Sequence, residues 1–280
     1  MPYADVTDDV RLFYTDDFST DDHPGEDGRR PPLLLVHGWG TDSHQWSWHL
    51  DALTAAGHRV IAPDLRGHGY SSVPDAGNTP RAMAADLRAL LDRLGVGQVV
   101  AVGHSMGAQV VSILAVEHPE RVRALVTVDP GYGMSDDVAR GFPQMIAALH
   151  GPRPHEAAEA IDEWCTNAAT PAVIRRWHKR RLYGMAPHVL AEAFEALFTG
   201  PDAIGVRPAS DAYLARRQCP VLSIWSDPGR AAWEAGLLKD PASKVVCWEG
   251  SSHRLHEERH AEFTHLVTGW IRRLPGGPAV

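Results

Sequence analysis

The chain has 280 residues, 44% hydrophobic and 22% charged, close to globular averages, which excludes disordered and fibrous classes. Thirty-five acids against 27 bases give a formal charge of −8, which argues against a general electrostatic grip on nucleic acid or anionic lipid. No apolar run approaches the ~18–20 residues of a membrane span, the N-terminus shows no secretory signal pattern, and Cys165, Cys219 and Cys247 share no metal-ligand spacing, so a cytoplasmic protein with reduced thiols and no membrane or nucleic-acid partner is expected.

Residues 10–14 (Val-Arg-Leu-Phe-Tyr) alternate as a strand does, and the acidic, Gly- and Pro-punctuated stretch after them reads as a solvated loop. Leu33 to Val36 is a continuous apolar run, the mark of a strand buried on both faces. A helix is predicted over 44–56, with Trp46 and Trp48 on its core side, and then a strand over 59–62 ending at Pro63-Asp64. Met83, Leu87, Leu90, Leu91 and Leu94 recur at helical spacing over 80–94, closed by Gly95. A strand at 99–102, a helix at 106–117 and a strand at 125–128 continue the alternation.

Between about 133 and 218 the strand pattern stops, and helical stretches carry Trp164, Trp177, Tyr183, Phe194 and Phe198. Strand signals return at 221–225 and 244–248, before an amphipathic helix over 257–273. Strands alternating with helices imply parallel βαβ units. The predicted fold is therefore α/β, a doubly wound, mostly parallel sheet with a helical cap insertion. Residues 1–132 and 219–280 would form the core and 133–218 the cap.

One segment carries chemistry. Gly103-His104-Ser105-Met106-Gly107 is a G-x-S-x-G pentapeptide directly after a buried strand and directly before a helix. A serine on such a turn lifts its Oγ clear of the sheet, and free N–H groups at the helix start face any anion formed there. A serine hydroxyl needs an adjacent base, and the base needs an orienting carboxylate. Of the 16 histidines, His37 and His104 flank the turn and suit structural hydrogen bonds. His253 follows the last strand by a short Gly-Ser loop that can bring it over the serine, with His256 its nearest rival. The spacing of His253, His256 and His260 superficially suggests a metal site, but His253 is expected in a loop, so no metal is assigned.

With these residues in place the chain resembles the α/β-hydrolase fold superfamily, in its serine-nucleophile, helical-cap branch. His37-Gly38-Trp39-Gly40 looks like that family's oxyanion loop. Pro63-Asp64-Leu65-Arg66-Gly67-His68-Gly69-Tyr70-Ser71 looks like its D-x-R-G-x-G-x-S turn, and Gly250-Ser251-Ser252-His253 like the segment bearing its histidine. The resemblance covers the chain outside 133–218. It implies Ser105 as nucleophile, His253 as base, the backbone N–H groups of Trp39 and Met106 as oxyanion hole, and no cofactor. Asp64 and Arg66 are expected to pair structurally around their turn.

The acid has two possible places on this fold. Asp129 ends one strand, and Asp227 comes after another, 26 residues before His253. That spacing is close to the family's, so Asp227 is preferred, although the segment before it is about two residues shorter than the family's common form. Ser105 sets the chain apart from the dehalogenases and epoxide hydrolases of this superfamily, which attack with an aspartate. Acyl transfer to water is therefore expected, on a small-molecule ester or lactone with an apolar body lined by Trp39, Tyr132, Trp164 and Trp177. A carbon–carbon bond hydrolase and a non-catalytic binding module are the alternatives.

Overall fold

Buried apolar tetrads and pentads set the centre of the molecule. The computed structural model describes residues 2–18 and 30–275; most of the acidic stretch expected to form a loop lies outside the described residues. Strands β1 (Tyr3–Asp5), β2 (Arg11–Asp17), β3 (Leu33–Val36), β4 (Val60–Pro63), β5 (Val99–His104), β6 (Val122–Val128), β7 (Val221–Trp225) and β8 (Lys244–Cys247) join in one sheet, ordered β1-β2-β4-β3-β5-β6-β7-β8. β2 pairs antiparallel with both β1 and β4, and the remaining pairings are parallel. Within β3, β4, β5 and β7 every residue is buried, as their unbroken apolar runs require. β1 was not anticipated; it is a short, exposed edge strand.

The helices are α1 (Leu50–Ala55), α2 (Pro80–Arg93), α3 (Met106–Glu117), α4 (Asp136–Ala139), α5 (Phe142–Leu149) and α6 (Pro154–Trp164), then α7 (Ala172–Gly184), α8 (Pro187–Phe198), α9 (Ala209–Leu214), α10 (Pro228–Ala235), α11 (Leu255–Glu258) and α12 (His260–Ile271). Alternate residues of the central strands serve opposite layers. Leu34, Val36, Ala101 and Leu125 pack with α2 and α3, whereas Leu33, Leu35, Val100 and Val126 pack with Trp46, Leu53 and the α12 residues Phe263, Val267 and Trp270. Each fully buried side chain of this size contributes about 1.5–3 kcal/mol relative to exposure. α2 starts where the Thr79 hydroxyl accepts from Ala82 N–H (3.3 Å) and Pro80 occupies the first turn.

Two predicted helices are interrupted. Instead of one helix over 44–56 there is a 3-10 turn at Ser43–Trp46, capped by Asp42 accepting from His44 N–H, and then α1. Trp46 is wholly buried, but Trp48 is exposed and stacks on Trp177 at 5.7 Å. The last helix breaks at Arg259, whose backbone (φ −120°, ψ 45°) separates α11 from α12. Asp64 and Arg66 do not pair with each other. Asp64 accepts from the N–H groups of Ser43 (2.7 Å) and Tyr70 (2.8 Å), while Arg66 makes a two-pronged bond to buried Asp86 (2.6 Å each).

Strand order reverses between β3 and β5, so the loops leaving their carboxyl ends diverge and open a crevice, the usual ligand position in such sheets. Helices α4–α9 run between β6 and β7, and a parallel bridge between Met134 and Val206 closes their stem.

Candidate active site

Ser105 leaves β5 for α3 with φ 52° and ψ −115°, a left-handed backbone that a residue with a side chain adopts only under strain. The flanking glycines are there for closeness. A Cβ on Gly103 would lie 2.3 Å from the Gly107 carbonyl oxygen, and one on Gly107 2.3 Å from that of Val36. The two turns beside it are held level by the sheet. Register pairs His104 with Val128, Ser105 N–H donates to Val128 O (3.0 Å), and Gly131 N–H donates back to Ser105 O (3.0 Å). The residue leaving β6 beside Ser105 is Asp129, itself at φ 37°.

His253 lies in the loop after β8, where Gly250 at φ 85° turns the chain back over the sheet. Its N–H donates to Cys165 O (3.2 Å), and its carbonyl accepts from His104 Nε2 (2.8 Å). Its Nδ1 stands 2.6 Å from Asp129 Oδ2. Asp129 Oδ1 accepts from the N–H and Oγ of Ser226, each at 2.9 Å. Burial alone would raise the Asp129 carboxyl. The hydrogen bond and charge of His253, the Arg230 cation and the Ser226 N–H outweigh it and hold the group at about 2. The carboxylate is ionised at neutral pH, so Nδ1 carries the imidazole proton and Nε2 is left with a lone pair.

The preference for Asp227 is therefore overturned as a matter of geometry. β7 ends at Trp225, and Asp227 at once becomes the N-cap of α10, its Oδ1 accepting from Arg230 N–H (2.6 Å). The shortened segment leaves no chain to bring this carboxylate toward His253, whereas β6 is the immediate neighbour of β5. His256 is no rival base. It is fully buried against Trp46, His104 and Phe263.

His37 and His104 make structural bonds. His37 Nδ1 donates to Gly38 O (2.8 Å) and its Nε2 accepts from Leu65 N–H (3.0 Å). His104 Nδ1 accepts from Gln45 Nε2 (3.0 Å), and Gln45 Oε1 accepts from Gly38 N–H (3.1 Å). One glutamine thus ties the loop after β3 to the elbow. Among the described residues the backbone N–H groups of Trp39 and Met106 find no acceptor.

Ser105, Asp129 and His253 open on one cavity of about 350 Å³ under the cap. Trp39, Phe142, Ile161, Phe194, Leu197 and Phe198 give it an apolar lining, and Asp162, Thr166, Asn167 and Arg254 line it as well. Phe142 stacks on Phe198 with ring centres 3.8 Å apart, and Phe194 meets Phe198 edge-on at 5.2 Å. Trp164 is at the rim, 61% exposed.

Two of the expected lining residues are elsewhere. Tyr132 is fully buried, donating its hydroxyl to Glu234 (2.8 Å), and burial with the nearby Glu234 charge pushes that phenol up. Trp177 faces a separate cleft on the other side of the cap, stacked among His44 and Trp48.

A family model described as alpha/beta hydrolase fold matches residues 31–170. The chain belongs to the α/β-hydrolase fold family. Epoxide hydrolase 2 of Siraitia grosvenorii is 38% identical, over 90% of this chain and 95% of that protein. The dihydrolipoyllysine-residue acetyltransferase component of the acetoin cleaving system of Cupriavidus necator is 37% identical over 126 residues, 45% of this chain and only 33% of that protein. Among solved structures, a thermophilic esterase from Thermogutta terrifontis superposes with a TM-score of 0.77 at 25% identity, covering 94% of each chain.

In this α/β-hydrolase the residues missed from sequence are the phenylalanines of the cavity wall. Phe194 and Phe198 stand four apart on α8 and so share one helix face, a signal that was present. Residue type alone had favoured the tryptophans.

Proposed function

We propose that this α/β-hydrolase is a serine hydrolase that cleaves a carboxylic ester or lactone with an apolar body. The observation that carries the reading is the 2.6 Å contact between His253 Nδ1 and Asp129 on the strand end beside Ser105. With Nδ1–H donated to a carboxylate, Nε2 accepts the Ser105 hydroxyl proton as Oγ attacks the carbonyl carbon. The oxyanion is met by the backbone N–H groups of Met106 and Trp39, each worth about 3–4 kcal/mol in such sites. His253 then gives its proton to the leaving oxygen, and water attacks the acyl-enzyme by the same route. In a lactone the leaving oxygen stays tethered to the acyl group.

Serine chemistry separates this reading from that of the epoxide-hydrolase relative. Attack of a serine hydroxyl on an epoxide would leave an alkyl ether, which offers water no carbonyl to attack, whereas acylation leaves a hydrolysable ester. The apolar wall of Phe142, Phe194 and Phe198 supports an apolar acyl or alcohol body.

The test is a panel of p-nitrophenyl esters, γ- and δ-lactones and styrene oxide, with a fluorophosphonate as probe of the nucleophile. Ester or lactone turnover is expected, with phosphonate labelling at Ser105. Ser105→Ala should lower turnover by ~10⁴-fold or more. Retention of over a tenth of the activity in a normally folded Ser105→Ala variant, or turnover of the epoxide alone, would overturn the proposal.

A further inference from the structure

Asp129 sits in a turn that needs holding. Its φ of 37° is unfavourable for a residue with a side chain, and the three residues after it lead into the cap. The carbonyls of those three residues are all taken. Gly131 O accepts from Gln109 Nε2 (2.7 Å), and both Pro130 O and Tyr132 O accept from one nitrogen, Nη2 of Arg230 (2.9 Å to Tyr132 O). The guanidinium is fixed from beneath by the face of Trp225, 4.3 Å from the ring centre. Its backbone is fixed by the Asp227 cap of α10. Arg230 also borders the cavity beside Asp129 and Ser226.

Resting on the reading of Asp129 as the acid, we propose that Arg230 is a positioning residue: it clamps the strained turn that aims Asp129 at His253 and sets a fixed positive charge beside their hydrogen bond. A clamp of this kind works through geometry: the guanidinium, stacked on Trp225, holds its one nitrogen Nη2 against both carbonyls, a reach and a stacking that the shorter ammonium of lysine lacks. It also works through charge, because a cation near Asp129 favours the carboxylate. The other ionisable groups facing Arg230 are Asp227, Tyr132 and Glu234, and those facing Asp129 include His104, Cys165 and Cys247. Burial holds His104 well below the ordinary imidazole value and pushes the Cys165 thiol up to about 12. The same relation gives Asp227 a task, capping the helix that presents Arg230.

The experiment measures kcat, KM and the pH dependence of kcat/KM on a p-nitrophenyl ester for Arg230→Met and Arg230→Lys, with melting curves, alongside Asp129→Asn. Arg230→Met is expected to lower kcat ~10- to 100-fold with KM within about twofold. The acid limb of its profile should move up by roughly half a pH unit or more, because a nearby cation no longer opposes imidazolium formation. Arg230→Lys keeps the charge and loses the reach and the stacking on Trp225, so kcat should fall while the acid limb stays in place. An unchanged kcat and profile in Arg230→Met would overturn the proposal. A rise in KM alone would also overturn it, placing Arg230 on the substrate. Should Arg230→Met fail to fold, Arg230→Lys decides: wild-type kcat, or a change confined to KM, refutes the clamp. Activity surviving in folded Asp129→Asn would instead remove the reading of the acid, whatever Arg230 does.

Discussion

Lowering the pH from 7 to 5.5 should remove about 4 kcal/mol of stability from this protein, a large part of the ~5–15 kcal/mol that holds a domain folded. The cause is a set of buried imidazoles. Burial drives His37 to about 4, and His49 and His68 to about 3, and lowers His104 and His256 well below the ordinary value. All five are at most 2% exposed. In the unfolded chain each titrates near 6.5, so between that pH and its depressed folded value the unfolded state binds the extra proton. Stability is therefore full above about pH 7 and falls as pH drops, by about 1.2 kcal/mol at pH 5.5 for each of His37, His49 and His68; His104 and His256 act in the same direction. His178 and Glu257 offset one another over this range: burial lowers the first and raises the second to about 7, so one favours protons in the unfolded chain and the other in the folded chain. Urea unfolding followed by tryptophan fluorescence from pH 7.5 to 5.0 measures the slope, which should correspond to about three protons or more taken up on unfolding near pH 5.5. His49→Leu should reduce that uptake by about one. A loss below about 1 kcal/mol between pH 7 and 5.5 would refute the account, since it would mean these rings are protonated within the fold.

Asp129→Asn should lower ester turnover by up to ~10⁴-fold in a normally folded protein, whereas Asp227→Ala should cost ~0.5–2 kcal/mol as a lost cap and keep most turnover per folded molecule; paired kinetics and denaturation curves compare them. Phe198→Ala removes one side of the 3.8 Å stack with Phe142, so the octanoate-to-butyrate ratio of kcat/KM should rise while phosphonate labelling of Ser105 keeps its rate; equal losses on both would show a purely structural role. Glu234→Leu strips the partner from buried Arg217 (2.9 Å) as well as from Tyr132 and Trp225, and should cost about 3–5 kcal/mol by calorimetry. Arg217→Met in the same chain should restore part of that loss.

The strands were legible because a sheet covered on both faces needs unbroken apolar runs, and Leu33–Val36 or Val99–Val102 has no other good use. The elbow was legible because its glycines answer a backbone contact that any such turn must make. The partner of His253 was harder. Spacing along the chain favoured Asp227, but its side chain is committed by the residue after it: Asp227-Pro228 is a helix start, with a cap and a proline in the first turn. That signal was present and was outweighed by the family spacing. The direction in which Tyr132 and Trp177 face was not legible. An aromatic near a cap suits a pocket wall, a buried polar network or an outer stack equally well, and only neighbours distant in sequence, Glu234 for one and Trp48 for the other, decide between them.

Placing the carboxylate beside β5 has a further consequence for the history this chain allows. The loop after β3, the elbow and Asp129 all come from one uninterrupted stretch, and α4–α9 enter only after it. The whole cap is thus spliced between Asp129 and His253, and the relative placement of Ser105 and Asp129 is settled by bonds between adjoining strands before the splice begins. Exchange, lengthening or loss of cap helices puts a single joint at risk, the one between residues 129 and 253. That joint is also pinned from the core side by His104. Such an arrangement lets the roof over the cavity vary while the floor keeps its alignment.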